Sequence, residues 1–292
     1  MRKKITVPKI FLHSFFIIYS LLCIVPFLLV VSVSFTAEDT VIKGGFGLWP
    51  SAFSTEAYRH LFSDASKLMY SYGVTAFYAF AGTALSVVIM AMAGYALSRN
   101  RFILKKPMTW MLLVTMFFNG GLIPSYIVNT RLFGLGNNIM IYIFYDLVTA
   151  YTIFVFRAFF KQIPASLVEA AAIEGAGELK ILTKVIIPLS KPVLATYGFI
   201  GLVGRWNDFS ASLYYITESK LYTIQRLLQE VLNEAKFLQE FQKATGTMIG
   251  NTIPSETLKF AICVVGSAPM LFAFPFFQKF FSKGIVVGAV KG

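Results

Sequence analysis

Six separate stretches of apolar residues, each about as long as a bilayer is thick, constrain this chain more than any other feature. A hydrocarbon core of roughly 30 Å is crossed by about 20 helical residues. The runs from about Ile10 to Phe35, Tyr72 to Leu97, Pro107 to Val128, Ile139 to Phe160, Ile186 to Phe209 and Leu258 to Phe281 all meet that length. With 57% hydrophobic and only 14% charged residues in 292, the chain has lipid rather than water as its main solvent. The expected fold class is therefore an all-α integral membrane protein of six transmembrane helices, forming a single domain over residues 1–292. The second run is rich in small residues (Ala79, Ala81, Gly82, Ala84, Ala91, Ala93 and Gly94), which let helices approach closely in lipid.

The formal charge of +12 would point to nucleic acid if it formed patches on a soluble fold. Here the basic residues lie between the apolar runs, and they alternate by side. Arg2, Lys3, Lys4 and Lys9 precede the first run; Arg99, Arg101, Lys105 and Lys106 follow the second. Arg157, Lys161, Lys180, Lys184 and Lys191 follow the fourth, and Lys279, Lys283 and Lys291 close the chain. Short loops rich in Lys and Arg stay cytoplasmic, so both termini are expected inside and no nucleic-acid partner is implied. A cleaved signal peptide would also begin with a basic cluster, but the apolar run behind it is too long for one. Two longer segments then fall outside, Thr36 to Ser71 and about Ser210 to Thr257. Within the second, Leu227, Leu228, Val231, Leu232, Ala235 and Leu238 recur at helical spacing, an amphipathic helix over about Leu221 to Phe241.

Catalytic and metal chemistry find little support. His13 and His60 are the only histidines, Cys23 and Cys263 are isolated within apolar runs, and no GxxxxGK[ST] loop is present. An intramembrane enzyme would need a nucleophile with a base, or paired carboxylates, at membrane depth. A secondary transporter would show duplicated broken-helix patterns, and none is evident.

The segment from about 164 to 188 stands out among the connectors. It reads Pro164-Ala-Ser-Leu-Val-Glu169-Ala-Ala-Ala-Ile-Glu174-Gly175 and runs on to Pro188. Ser166 and Glu169 have capping-box spacing, which predicts a helix from about Leu167. Ala170 to Ala172 favour that helix and keep its surface smooth, and Gly175 can take the left-handed conformation that ends it. Taken alone, this is a well-capped connector helix on the membrane surface.

The full pattern resembles the permease subunits of binding-protein-dependent ABC importers, whose cytoplasmic signature is Glu-Ala-Ala, a Gly, and a Pro about a dozen residues on. Glu169-Ala170-Ala171, Gly175 and Pro188 match in order and spacing, with Glu174 where that family usually has Asp. The likeness extends to the maltose-type, carbohydrate-transporting branch through Leu122-Ile123-Pro124, Phe159-Phe160, Trp206-Asn207 and the terminal Lys283 to Gly292. It implies the type I ABC importer permease fold and a bacterial inner-membrane location. It also implies that Ser166, Glu169, Ala170, Ala171, Glu174, Gly175 and Pro188 belong to a coupling segment seated on an ATPase. Lys291 and Gly292 would lie in a tail reaching into the ATPase dimer. The partners implied are a second permease, two cytoplasmic ATPase subunits that bind ATP and Mg, and an external solute-binding protein touching the segment 210–257. The chain itself would hold no cofactor. Its cargo would be a sugar or oligosaccharide, with a non-carbohydrate solute as the alternative.

Ionisable residues within apolar runs are costly and point to function. Asp146 in the fourth run and Arg205 in the fifth, with Asp208 close by, are candidates for the outer substrate path, Arg205 pairing with one of the two acids. Trp206 and Asn207 adjoin them, Trp206 reading equally as an interfacial belt residue. Asn119, with Gly120 and Gly121, interrupts the third run as a kink or a polar cavity wall.

Overall fold

A computed structural model of the chain describes residues 7–245 and 254–288, and among them the secondary structure is helical, with one isolated bridge between Thr36 and Phe53. Helix α1 (Val7–Ser34) realises the first apolar run, and the short helices α2 (Glu38–Gly44) and α3 (Glu56–Leu61) follow it. Helices α4 (Ala65–Phe77) and α5 (Thr83–Ser98) join through one wide π turn at Tyr78–Gly82, giving 34 helical residues from Ala65 to Ser98. Helices α6 (Lys105–Phe117) and α7 (Leu122–Ile127) come next, then α8 (Ile141–Phe144) and α9 (Ala150–Lys161). The signature segment forms α10 (Ala165–Ile173), α11 (Glu178–Ile181) and α12 (Ile187–Leu189), which lead into α13 (Lys191–Asn207). Helices α14 (Ser210–Tyr215), α15 (Ile224–Thr245) and α16 (Ser255–Gly288) complete the order.

Among the described residues, three helices are long and apolar enough to cross a membrane: Leu12–Ser34, Ala65–Ser98 and Ser255–Gln278. Two bent pairs raise the number to as many as five. In the first pair, Lys105–Phe117 and Leu122–Leu132 meet at 117°. The bend falls where Asn119, Gly120 and Gly121 interrupt the third run. Gly121 takes a φ of 86°, and the Asn119 side-chain oxygen accepts a bond of 2.8 Å from its N–H. In the second, Glu178–Leu189 and Lys191–Asn207 meet at 83° around the buried Ser190, between Pro188 and Pro192. The fourth run departs from expectation. It is not one helix but α8 and α9, separated by residues 145–149, where Asp146 adopts a φ of 48°.

The residues sort into two compact units, one drawn from Met1–Leu68 and Leu228–Pro269, the other from Met69–Leu227 and Met270–Gly292. In the first, the end of α1 is tied to the segment after it. The Ser34 hydroxyl and Tyr58 phenol bond at 2.8 Å, and Phe35 stacks on Tyr58 and Phe53. Glu38 caps α16: its carboxylate accepts from the N–H groups of Glu256 at 2.7 Å and Thr257 at 2.8 Å, which the helix itself leaves unpaired. Along α1 the side chains of Phe15, Ile17 and Leu22 stay exposed, a surface for lipid or another chain.

In the second unit, α5 packs on α9 to form the main core, which includes Met90, Leu97, Ile153, Phe156 and Phe160 with Ile181 and Ile186 from the signature segment. Gly94 makes this approach possible. A Cβ built there would lie 2.8 Å from the Phe156 Cβ and 3.1 Å from the Arg157 nitrogen, and neither atom can give way without moving the α9 backbone. The small-residue stripe read from the sequence is used in this way at Gly94. A Gly94→Leu variant is expected to lose about 2 kcal/mol or more by overpacking, read as a lowered Tm in detergent. Gly120→Ala, whose Cβ would meet only Pro124 at 3.8 Å, should leave Tm close to wild type.

Candidate functional site

The signature segment opens with a short helix, α10, that has one face packed and one face exposed. Helix α10 begins at Ala165, with Pro164 at the N-cap and no side-chain cap bond. The capping box expected between Ser166 and Glu169 therefore does not form. Proline fixes the entry geometry, which draws Ser166 into the first turn instead of leaving it ahead of the helix. The end follows expectation: Gly175 takes a φ of 77°, the Gly175 N–H bonds the Ala172 carbonyl and the Ala176 N–H bonds the Ala171 carbonyl, each at 3.0 Å. That pair of bonds is a Schellman motif with Glu174 at the C-cap.

Val168, Ala171 and Ala176 pack onto the α5–α9 core. Glu169 and Ala170 are exposed, as are Leu167 at 45% and Ile173 at 87%. Behind the helix lies a pocket of about 500 Å³ whose lining includes Arg99, Arg101, Lys161, Val168, Glu169 and Ala172.

Glu178, which the sequence analysis does not single out, fixes this segment to α5. Its carboxylate accepts a hydrogen bond from the Tyr95 hydroxyl and pairs with the Arg99 Nε at 3.4 Å, while the Arg99 guanidinium lies 5.7 Å from the Tyr95 ring centroid. Its position at the first residue of α11, after Gly177, was the available signal. From α11 the chain passes a π turn at Leu182–Ile186 and α12, with Pro188 in its first turn, before bending at Ser190 into α13.

At its other end α13 reaches the broken stretch 145–149. Arg205 Nη2 donates to the backbone carbonyl of Asp146 at 3.0 Å. The Ser86 hydroxyl donates to the Leu147 carbonyl at 2.6 Å, and the Thr149 N–H to the Met90 sulfur at 3.4 Å. Side chains of α5 and α13 thus take up the backbone groups that the helix leaves free. Beside this stretch is a cavity of about 430 Å³ lined by residues that include Thr83, Ser86, Asp146, Thr152, Tyr197 and Arg205.

The structure brings Asp146 and Arg205 to one site, but not as an ion pair; the bond is to the peptide carbonyl. Asp208 does other work. Its carboxylate accepts from the N–H groups of Ser210 at 3.0 Å and Ala211 at 3.1 Å, opening α14, and from the Tyr78 hydroxyl at 3.3 Å. Trp206 is buried beside Tyr72 among Ala79, Leu202 and Phe277. Asn207 is exposed, bonding the Val203 carbonyl and Gln225. Neither residue lines the cavity, and Asn119 belongs to the bend after α6. Lys291 and Gly292 lie outside the described residues.

A helical membrane transport component is the class these features define. Residues 102–287 match the family described as binding-protein-dependent transport system inner membrane component. The polygalacturonan/rhamnogalacturonan transport system permease protein YtcP of Bacillus subtilis is 34% identical over 282 residues, which cover 96% of this chain and 97% of that protein. Protein LplC of the same organism is 33% identical, with 92% and 90% covered. Among solved structures, a chain of a bacterial ABC transporter involved in the import of the acidic polysaccharide alginate matches with a TM-score of 0.81 and 29% identity, covering 96% of this chain and 99% of that one. The chain belongs to the binding-protein-dependent transport system inner membrane component family. It is a multi-pass membrane permease component with the type I ABC importer fold.

Glu178→Ala removes the ion pair and the Tyr95 bond together. Because Glu178 is largely solvent-exposed, the cost in global stability should be at most about 1 kcal/mol. Local opening is the sensitive readout: amide hydrogen exchange across residues 176–186 should quicken several-fold while exchange in α9 is unchanged.

Proposed function

We propose that this chain is one permease subunit of an ATP-driven importer in a bacterial inner membrane, moving an oligosaccharide delivered by an external solute-binding protein. The observation that carries this reading is the two-faced helix α10. Val168 and Ala171 anchor it to the α5–α9 core, while Leu167, Ala170 and Ile173 present a smooth apolar surface beside Glu169. A partner that covers this face gains contact without disturbing the fold, and the Glu169 carboxylate offers a charge-assisted bond to a basic group. The partner is an ATPase dimer that binds ATP and Mg, one subunit for each of two permease chains.

Movement of α10 is passed on by two routes. Glu178 carries it to Tyr95 and Arg99 on α5, and the bend at Ser190 carries it to α13. Both helices reach the cavity at residues 145–149, which lies on the substrate path and opens alternately to the two sides as the ATPase closes and resets. The chain crosses the membrane six times with both ends inside, the broken run 139–160 counting as one crossing. The carbohydrate cargo is supported by the relatives named for polygalacturonan and rhamnogalacturonan transport and by the alginate importer.

On the outside, α15 is the docking element for the solute-binding protein. It forms a helix over Ile224–Thr245, close to the amphipathic helix expected over about Leu221 to Phe241, and its exposed Phe237 and Phe241 rings lie 6.3 Å apart.

Two measurements test the reading. An ATPase from the same membrane should co-purify with the wild-type chain, and Glu169→Lys or Ile173→Asp should abolish the complex; a stable complex with normal coupling in both variants would defeat the docking role. In reconstituted transporter, Phe237→Ser with Phe241→Ser should cut ATPase stimulation by the solute-binding protein by about tenfold, in line with the loss of aromatic anchors. Undiminished stimulation would remove α15 from the docking surface.

A further inference from the structure

Arg205 is nine-tenths buried, with 9% of its surface exposed, yet its charge meets no carboxylate directly. Among the described residues it forms no ion pair, its Nη2 serves the Asp146 carbonyl, and its Nε is buried without a hydrogen-bond partner. Asp208 is committed to Tyr78, Ser210 and Ala211, and Asp146, which lines the same cavity, meets Arg205 only through its backbone carbonyl. A guanidinium held this way in an apolar surrounding is costly unless something completes it.

The vacant donors converge on one spot. Gly201 lines the cavity, and a Cβ built on it would lie 3.3 Å from Arg205 Nη1 and 3.5 Å from the Thr83 hydroxyl. That hydroxyl is buried and has no partner of its own. On the opposite side, a Cβ on Gly82 would come within 3.0 Å of Arg205 Nε, so the two glycines leave the guanidinium just enough room and hold it against the cavity wall. Two free donors beside a glycine, one of them charged, match the two oxygens of a carboxylate. Thr152 and Tyr197 add hydroxyls around a space of about 430 Å³, within the range of roughly 300 to 1,000 Å³ typical of small-ligand sites.

We propose that this cavity is a subsite for an acidic sugar unit, whose carboxylate is received by Arg205 and Thr83 beside Gly201. The proposal rests on the carbohydrate-importer reading and assigns the cargo's charge to recognition within this subunit. No covalent step is involved: the cargo carboxylate exchanges its hydration for the guanidinium and hydroxyl donors, and is released when the cavity opens to the other side.

The test is direct titration of the purified permease–ATPase complex, without solute-binding protein, using a short oligogalacturonate and the same oligomer after carboxyl reduction to its neutral form. The wild type should bind the acidic oligomer at least about tenfold more tightly than the neutral one, as expected where a site's buried donors would otherwise be left unpaired. Arg205→Lys, which keeps a cation but loses the fork, and Thr83→Val, which leaves Arg205 in place, should each reduce that preference severalfold. Equal binding of the two oligomers by the wild type, binding of neither, or a preference unchanged in both variants would overturn the subsite. If binding-protein stimulation of the ATPase by carbohydrate persists in that case, only the subsite fails; if stimulation is also absent, the importer reading fails with it.

Discussion

Between Tyr145 and Thr149 the backbone leaves the helix inside an apolar run, where lipid offers no hydrogen bonds and each unpaired peptide group costs several kilocalories per mole. Side chains from two neighbouring helices replace what the helix gives up. Ser86 and Met90 reach in from α5, and Arg205 from α13. Those three bonds require both helices to stand close to the break. Glycine supplies the clearance: Gly82 and Gly201 beside the Arg205 side chain, and Gly94 just over three turns beyond Gly82, where α5 meets α9. Removing the break would remove the reason for the arginine; removing the arginine would leave the Asp146 carbonyl stranded.

The signature segment was largely legible because its signals are local. Gly175 ends α10 through bonds to residues three and five positions back, and Asn119-Gly120-Gly121 bends the third run through a bond spanning two residues. The break at Asp146 was not legible, since no glycine or proline marks it and a left-handed aspartate is stabilised there by groups some sixty residues away in sequence. The same distance explains the misassigned partner of Arg205. Sequence reasoning matches charge to charge, whereas the nearest acceptor is a peptide carbonyl that becomes available only because the helix has opened. Asp208 drew the same inference, although its position two residues before Ser210 is that of a helix-capping side chain. Ser166 and Glu169 had the right spacing for a capping box but the wrong phase, because Pro164 had already fixed where the helix begins.

Helix α5 links the signature segment to the cavity beside residues 145–149. Thr83, Ser86, Val87, Met90 and Gly94 recur at intervals of three and four, so they share one stripe of the helix, and that stripe faces the cavity, the break and α9 in turn. Tyr95, on the neighbouring face of the helix, and Arg99, just past its end, meet Glu178. From Thr83 to Tyr95 the helix rises roughly 18 Å, and no proline interrupts it. In the proposed importer, a shift imposed at Glu178 would pass along this helix toward Thr83 and Ser86. On α13 the path begins differently, with the bend of 83° at Ser190 between two prolines that withhold backbone donors. One route is a strut and the other a hinge, and both end on the peptide carbonyls of Asp146 and Leu147. In the proposed importer, relative motion of the two helices would change the width of the cavity between them.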